Sequence, residues 1–443
     1  MTTATPVRIF AAIRQFWVRL LDPQSGLAPL RLRLAAVAGA ILLALAATAF
    51  AMLGDMAQFL FLAAIGRAAW VEFVLPPLGF ALCAWLTVRF WPEARGSGIP
   101  QVIAAVEHPT RGARAALVSL RTAMAKFWLT LGMLLAGGSV GREGPTVQIS
   151  AAIMVAVHRL LRVPVGAGVL IAGGAAGVSA AFNTPLAGVS FAIEELASAY
   201  EQRVTMLVMS AVMVAGLVTL GISGDYVYFG AMQGSLSLRA VLIVAPLAGV
   251  LGGLAGGLFS LLLIAFARQE LPVIKAMRAR PVLLAFGCGA VVALCGWLTH
   301  NATWGTGYAM TRSLIEDHPG SEPLFGIAKF VSTAATALSG APGGIFAPSL
   351  STGAGLGQML APLFPDQPAG AIVLLGMAGY FVGVVRAPLT AVIILMETTA
   401  SRSMIVPLFA TALIADFVSA QLCPEKLYHA LSRNFSLKPA ARP

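Results

Sequence analysis

A block of this chain is written twice at a constant spacing of 203 residues. Ala125-Lys126-Phe127 returns as Ala328-Lys329-Phe330, and Thr130 returns as Thr333. Gly137, Gly141 and Pro145 come back as Gly340, Gly344 and Pro348. Further on, Gly173 returns as Gly376, Pro185-Leu186 as Pro388-Leu389 and Glu194 as Glu397. Upstream the spacing drifts to 209, where Gly96-Ser97-Gly98 answers Gly305-Thr306-Gly307 and Glu107 answers Glu316. It drifts again to 212, where Cys83 with Trp85-Leu86-Thr87 answers Cys295 with Trp297-Leu298-Thr299. A duplication of this kind in an apolar chain points to two copies of one unit packed together, with a site between them.

Hydrophobic residues make up 58% of the chain and charged residues 11%, against about a quarter charged in soluble domains. The expectation is an all-α polytopic membrane protein. Leu34–Gly54, Ala115–Ala136, Val204–Gly221, Ala240–Ala267 and Met404–Leu422 are apolar and long enough to span. Val147–Leu161 and Val165–Phe182 are short or interrupted. Broken helices survive in lipid only where protein or a wet cavity surrounds them. The 46 glycines and 26 prolines therefore predict many tilted or half-crossing helices.

The net charge of +11 reflects positive-inside loops rather than binding of nucleic acid. Arg8, Arg14, Arg19, Arg31 and Arg33 precede the first span, and Lys426, Arg433, Lys438 and Arg442 close the chain. Both ends are thus expected in the cytoplasm, which requires an even number of crossings. Two similar halves with an odd number each meet that condition, and the second then inserts upside down. Ile9, Phe10, Ile13, Phe16, Trp17 and Leu20 fall at helical spacing between arginines, as in an interfacial helix. The reading divides the chain into a cytoplasmic segment 1–33, a first transmembrane repeat 34–222, a second repeat 223–430 and a tail 431–443. No soluble regulatory domain is expected after Tyr428. Cys83, Cys288, Cys295 and Cys423 lack metal-ligand spacing and read as buried thiols.

Three glycine-rich stretches end in proline and run into apolar helical segments: Gly96–Pro100, Gly141–Pro145 and Gly343–Pro348. Proline fits the first helical turn and glycine allows close backbone approach, so these are candidate helix N-termini inside the membrane. Such a terminus offers unpaired N–H groups and a partial positive charge, which suits a small anion. Glu143 stands at one of them, and its duplicate position is Phe346, so the acid is not a requirement of the shared fold. Ionised, Glu143 is a tethered anion able to fill an anion's place; protonated, it loses its attraction to the N–H groups and swings away. Glu194 is matched by Glu397, which implies a structural role, whereas Glu195 falls opposite Thr398.

These stretches, the run Phe182-Asn183-Thr184-Pro185-Leu186-Ala187-Gly188 and the late Tyr428 stand in an order that resembles the CLC family of chloride channels and proton-coupled chloride transporters. The resemblance covers nearly the whole chain. It implies two inverted-topology repeats with about eighteen helices, many not fully crossing, and a homodimer with one chloride and proton pathway per subunit. It also implies that Ser97 and Tyr428 supply hydroxyls to a central chloride, completed by the N–H groups of Ile345 and Phe346. The backbone around Arg142, Glu143 and Gly144 would line an outer site. Glu143 falls at the family's external gating glutamate and Glu195 at its internal proton-transfer glutamate, a position replaced in vertebrate channels. The implied function is chloride/proton antiport in the plasma membrane, with a passive chloride channel as the alternative. Serine at position 97 favours chloride over nitrate, and Ser97 with Tyr428 fits a chloride filter better than the fluoride-exporting branch.

No cofactor or metal is implied. His108, His158, His300, His318 and His429 show no ligand spacing, Gly353–Gly357 is not a dinucleotide motif, and no P-loop is present. A lipid-modifying membrane enzyme would need a nucleophile elbow or metal ligands that are missing, and a bare scaffold would not account for unpaired acids beside glycine breaks. Lys126 and Lys329 read as snorkelling or loop-pairing residues, and Asp416 as a buried, hydrogen-bonded acid without assigned function.

Overall fold

The computed structural model describes residues 27–107, 112–196, 202–224, 228–230, 232, 234–269, 271–316 and 322–436. The expected interfacial helix over residues 9–20, with His108 and His318, lies outside them. Among the described residues the chain forms nineteen α-helices and no β-strand beyond one isolated bridge.

The first half contains α1 (Ala28–Arg67), α2 (Val71–Phe90), α3 (Ile99–Glu107), α4 (Gly112–Leu117), α5 (Leu120–Leu135), α6 (Glu143–Leu160), α7 (Ala167–Phe182), α8 (Pro185–Phe191) and α9 (Gln202–Ser223). The second contains α10 (Leu238–Arg268), α11 (Pro272–Ala279), α12 (Pro281–Leu298), α13 (Tyr308–Ile315), α14 (Phe325–Leu338), α15 (Phe346–Leu360), α16 (Ala369–Val385), α17 (Pro388–Thr399) and α18 (Ile405–Leu422). The last helix is α19 (Leu427–Ser436), without a counterpart among the described residues of the first half.

Among the described residues, six helices are long and apolar enough to cross a membrane: α1, α2, α9, α10, α12 and α18. The chain is a multi-pass membrane protein. At about 1.5 Å per residue the 40 residues of α1 reach about 60 Å, roughly twice the hydrocarbon thickness, so α1 tilts or projects. Its start at Ala28 precedes the expected Leu34. The expected span Ala115–Ala136 is instead two helices. The break falls at Ser119, whose extended backbone and side-chain oxygen, accepting from Thr122 N at 3.2 Å, cap a new helix start. Spans α2 and α12 went unread in the sequence, where prolines Pro76 and Pro77 interrupt the first.

The short helices form the centre. Residues Val169–Phe182 of α7 and Gly370–Val385 of α16 are buried all round, the condition under which a helix is apolar on every face. The long spans stand outside them with only 33–44% of their apolar windows buried. Small residues bring backbones together. A methyl group at Gly256 of α10 would lie 2.5 Å from the carbonyl carbon of Gly383 in α16, and one at Gly357 of α15 would lie 2.5 Å from Val373 Cα.

Contacts between the halves come in reciprocal pairs. Gly141 N donates to Gly344 O at 2.7 Å, and Gly344 N donates to Gly141 O at 2.8 Å. Glu194 accepts from the N–H groups of Leu389 (2.9 Å) and Thr390 (2.6 Å), while Glu397 accepts from Leu186 (3.3 Å) and Ala187 (3.0 Å). Left-handed caps repeat as well: Asn183 at φ 57° ends α7 and Arg386 at φ 60° ends α16. A pseudo-two-fold rotation generates all of these, and the fold is a pair of inverted-topology repeats. Residues 141 and 344 lie on its axis, so α6 and α15 begin at the same place in the molecule.

The tight crossing of α10 and α16 yields a stability prediction. Gly256→Ala should destabilise the protein by roughly 1–3 kcal/mol through overpacking. Gly66→Ala, with nothing within 4 Å of the added methyl, should leave stability unchanged or slightly raised. Thermal unfolding of the purified variants in detergent, followed by tryptophan fluorescence, checks this; equal losses in both would contradict it.

Candidate ion-exchange site

Helices α3, α6 and α15 begin at the three glycine-rich stretches, and their N-termini converge on the axis. The turn before α3 needs Gly98 at φ 111°, and its repeat before α13 needs Gly307 at φ 83°, a region costly for residues with a Cβ. Each turn is held by a buried lysine. Lys126 Nζ donates to Gly96 O (2.7 Å) and Arg95 O (3.3 Å), and Lys329 Nζ donates to Gly305 O (2.8 Å) and Thr303 O (2.9 Å). Both lysines are 0% exposed, so they pair with loops rather than snorkel.

Two hydroxyls meet at the α3 turn. Tyr428, fully buried near the start of α19, faces Ser97, and neither Ser97 Oγ nor Tyr428 Oη has a hydrogen-bond partner outside this pair. Both hydroxyls line one space. That space opens into a cavity of about 680 Å³ also lined by Gly343, Gly344 and Ile345. Ile345 caps α15 and Phe346 begins it, so their N–H groups are among those a helix start leaves unpaired. The position of Tyr428 depends on Glu425 in the loop before α19. Bonds from Arg268 and Arg433 anchor Glu425, and the Arg268 bond holds its carboxyl below the usual range.

Glu143 is 0% exposed, and its carboxylate crosses to the other repeat. Oε2 accepts from Ala347 N, in the first turn of α15, at 3.4 Å, and Oε1 accepts from Tyr308 Oη. At 141 a methyl would overlap Glu143 Oε2 and displace the carboxylate from its place. At 144 a methyl would overlap Ser97 Oγ. The backbone of Arg142, Glu143 and Gly144 therefore stands between Ser97 and the second helix start. The side chain of Arg142 turns the other way, donating to Ala51 O (2.5 Å), Asp55 Oδ1 (2.7 Å) and Tyr228 Oη (2.9 Å). It lines a second cavity of about 510 Å³ with Asp55, Tyr228 and Tyr308. Glu143 thus lies between two cavities and is exposed to neither.

Glu195 sits on a π-helical turn, Ala192–Leu196, a distortion common at functional sites. It is 1% exposed, and neither carboxylate oxygen has a hydrogen bond. His429 Nδ1, on a half-exposed residue beside Tyr428, lies 3.4 Å from Glu195 Oε1. The Tyr428 hydroxyl lies within electrostatic reach of both Glu143 and Glu195.

Residues 79–420 match the sequence pattern of the voltage gated chloride channel family. The H(+)/Cl(-) exchange transporter ClcA of Yersinia pestis bv. Antiqua (strain Angola) is 33% identical over 439 residues, covering 92% of this chain and 88% of the relative. The chain belongs to the CLC family. The ClcA of Cronobacter sakazakii (strain ATCC BAA-894) is 32% identical over 403 residues, covering 86% of this chain and 84% of its own. Solved structures carry the same CLC fold. A slow cyanobacterial Cl-/H+ antiporter superposes with a TM-score of 0.78 at 24% identity, over 92% of this chain and 99% of its own. A CLC-type fluoride/proton antiporter superposes with 0.73 at 22%, over 90% and 97%.

Sequence reasoning missed four contributors to this CLC site. Ala347, not Ile345 or Phe346, makes the N–H contact to Glu143, while Tyr308, Asp55 and Tyr228 were not singled out. Only Tyr308 carried a signal, since it follows Gly305–Gly307 as Ile99 follows Gly96–Gly98. Asp416 pairs with Arg386 at 3.1 Å and is one-third exposed rather than buried. The four cysteines are buried and unpaired.

The neighbouring acids differ in what holds them. Glu194→Gln removes a charged acceptor from two backbone donors and the Thr390 hydroxyl, and should cost about 1.5–3 kcal/mol. Glu195→Gln removes a carboxyl without hydrogen bonds whose close partner is the half-exposed His429 at 3.4 Å, and should cost less than Glu194→Gln. Urea or thermal unfolding of both variants checks the contrast, and a greater loss in Glu195→Gln would contradict it.

Proposed function

We propose that this CLC protein is a chloride/proton antiporter in which Glu143 is the point shared by both ions. The observation that carries the reading is the Glu143 carboxylate at the N-terminus of α15, buried between two cavities. An anion and this carboxylate compete for the same N–H groups. Chloride enters when Glu143 is protonated and withdraws, and the carboxylate returns when the proton leaves. Occupancy by one excludes the other, so the two fluxes are tied. The names of the relatives, H(+)/Cl(-) exchange transporters, support chloride and protons as the substrates.

Ser97, Tyr428 and the N–H groups of Ile345 and Phe346 hold the central chloride in this reading. Hydroxyls and amides stabilise a halide without a full countercharge, which keeps release fast. The backbone of Arg142, Glu143 and Gly144 with Ala347 N–H forms the outer position. Glu195 is the second proton station, supported by its burial without hydrogen bonds and its closeness to Tyr428. The protein works as a homodimer with one pathway per subunit, in the inner membrane with both termini in the cytoplasm; the cationic ends support that orientation.

A liposome assay recording chloride and proton movement together tests this. Wild-type protein should drive protons uphill when a chloride gradient is imposed, whereas chloride flux with no proton signal would make it a channel. Glu143→Gln should keep chloride flux and lose proton movement, and uphill proton pumping by that variant would refute the shared-site mechanism. Glu195→Ala should slow protons more than chloride; equal loss of both, with lowered stability, would show a folding defect instead.

A further inference from the structure

The hydroxyl of Tyr308 has no part in the exchange cycle just described, yet it is bonded to the residue on which that cycle turns. Glu143 Oε1 accepts from Tyr308 Oη, while Oε2 accepts from Ala347 N. Both oxygens are therefore held by the second repeat, one by a movable side chain and one by fixed backbone. Tyr308 also lines the 510 Å³ cavity that Glu143 does not reach, so its ring stands between that cavity and the carboxylate.

The ring itself is held in place. Tyr228 packs edge-on against it with centroids 4.6 Å apart, Phe229 packs at 5.5 Å, and the Arg142 guanidinium lies 5.5 Å from its centroid. Arg142 in turn bonds Tyr228 and Asp55. A ring fixed this way aims its hydroxyl without spending rotamer freedom at each cycle. The charged and titratable groups around Glu143 are Arg142 beside it, Tyr308 and Tyr428 facing it, and Asp55 and Tyr228 through Arg142.

The duplication sharpens the point. The position equivalent to Glu143 is Phe346 and the position equivalent to Tyr308 is Ile99, both 0% exposed and apolar. Acid and phenol occur together on one side of the pseudo-two-fold axis and are both absent on the other. Space-filling alone would be met by an isoleucine or phenylalanine, as it is at the equivalent positions.

We propose that Tyr308 is a positioning residue that latches Glu143 in the anion's place, its hydroxyl donating to the carboxylate and setting how readily chloride displaces it. The proposal rests on the reading of Glu143 as a movable competitor of chloride. A phenol can donate to the ionised carboxylate strongly and to the protonated one weakly, so the latch releases when Glu143 takes a proton. Chloride binding and proton uptake then both work against the same hydrogen bond.

Chloride titration by calorimetry, at near-neutral pH on full-length protein in detergent, separates the possibilities in four forms: wild type, Tyr308→Phe, Glu143→Gln and the double variant. Tyr308→Phe keeps the packed ring and loses only the donor. It should tighten chloride binding about tenfold, the equivalent of one hydrogen bond to a charged group of about 1.4 kcal/mol. Glu143→Gln should also tighten binding, and adding Tyr308→Phe to it should change affinity less than about twofold, because the acceptor charge is already gone. If protonation of Glu143 admits chloride, the liposome flux of Tyr308→Phe should rise with acid at a higher pH than in wild type, since removing a donor to a carboxylate favours its protonated form. A tenfold effect that persists in the Glu143→Gln background would assign Tyr308 to packing and overturn the latch. Tightening by Glu143→Gln with none by Tyr308→Phe would overturn the latch alone. An unchanged affinity in Glu143→Gln would overturn the competition itself, and the latch with it.

Discussion

Backbone N–H groups at broken helix ends, placed where lipid supplies no partner, are the constraint on which the rest depends. An unpaired polar group in hydrocarbon costs several kcal/mol. Gly141 and Gly344 satisfy each other across the pseudo-two-fold axis, which brings the starts of α6 and α15 together. Of the N–H groups left unpaired at α15, that of Ala347 is met by a carboxylate from α6. The glycines at 141, 144 and 344 follow from this, because each added methyl would strike backbone or the site's own oxygens. The long outer spans enclose this centre and keep it from lipid.

Function resides where the two repeats depart from each other. Serine at 97 has a buried hydroxyl without a partner outside its pair with Tyr428, while its counterpart Thr306 meets Gln58 at 3.5 Å. Glu195 has no hydrogen bond, while its counterpart Thr398 donates to Ile394 O at 2.6 Å. Glu143 and Tyr308 stand opposite Phe346 and Ile99. At 97 and 195 the first repeat leaves polar atoms without a hydrogen bond where the second closes its own, and the Glu143–Tyr308 pair stands where the symmetry-related pair offers only carbon. Where the copies agree, as in Glu194 with Glu397 and Lys126 with Lys329, the side chains brace the fold.

The duplication made much of this legible in the sequence. The repeat paired the helices and separated Glu194 from Glu195, and the glycine stretches marked the three helix starts, all of which lie where the glycines put them. Distances between repeats were not legible. That Glu194 and Glu397 cap each other's helices, or that Glu143 reaches Ala347, depends on the axis passing between residues 141 and 344, which no local pattern states. Tyr308 was marked only by its place after Gly305–Gly307, and nothing local states that its hydroxyl meets Glu143. The split at Ser119 was hidden because a single serine in a long apolar stretch is common inside membrane helices, and only its capping geometry reveals a boundary. Helix α2 was hidden by its own prolines, which α2 tolerates within its length.

The most direct test of the central claim is anomalous diffraction from bromide-soaked crystals of wild-type and Glu143→Gln protein. If carboxylate and halide share one place, wild type shows bromide between Ser97 and Tyr428 and none at Ala347 N–H. In that case Glu143→Gln gains a peak at Ala347, with the neutral side chain swung aside. Bromide at Ala347 in wild type beside an unmoved Glu143, or none there in the variant, would contradict the account.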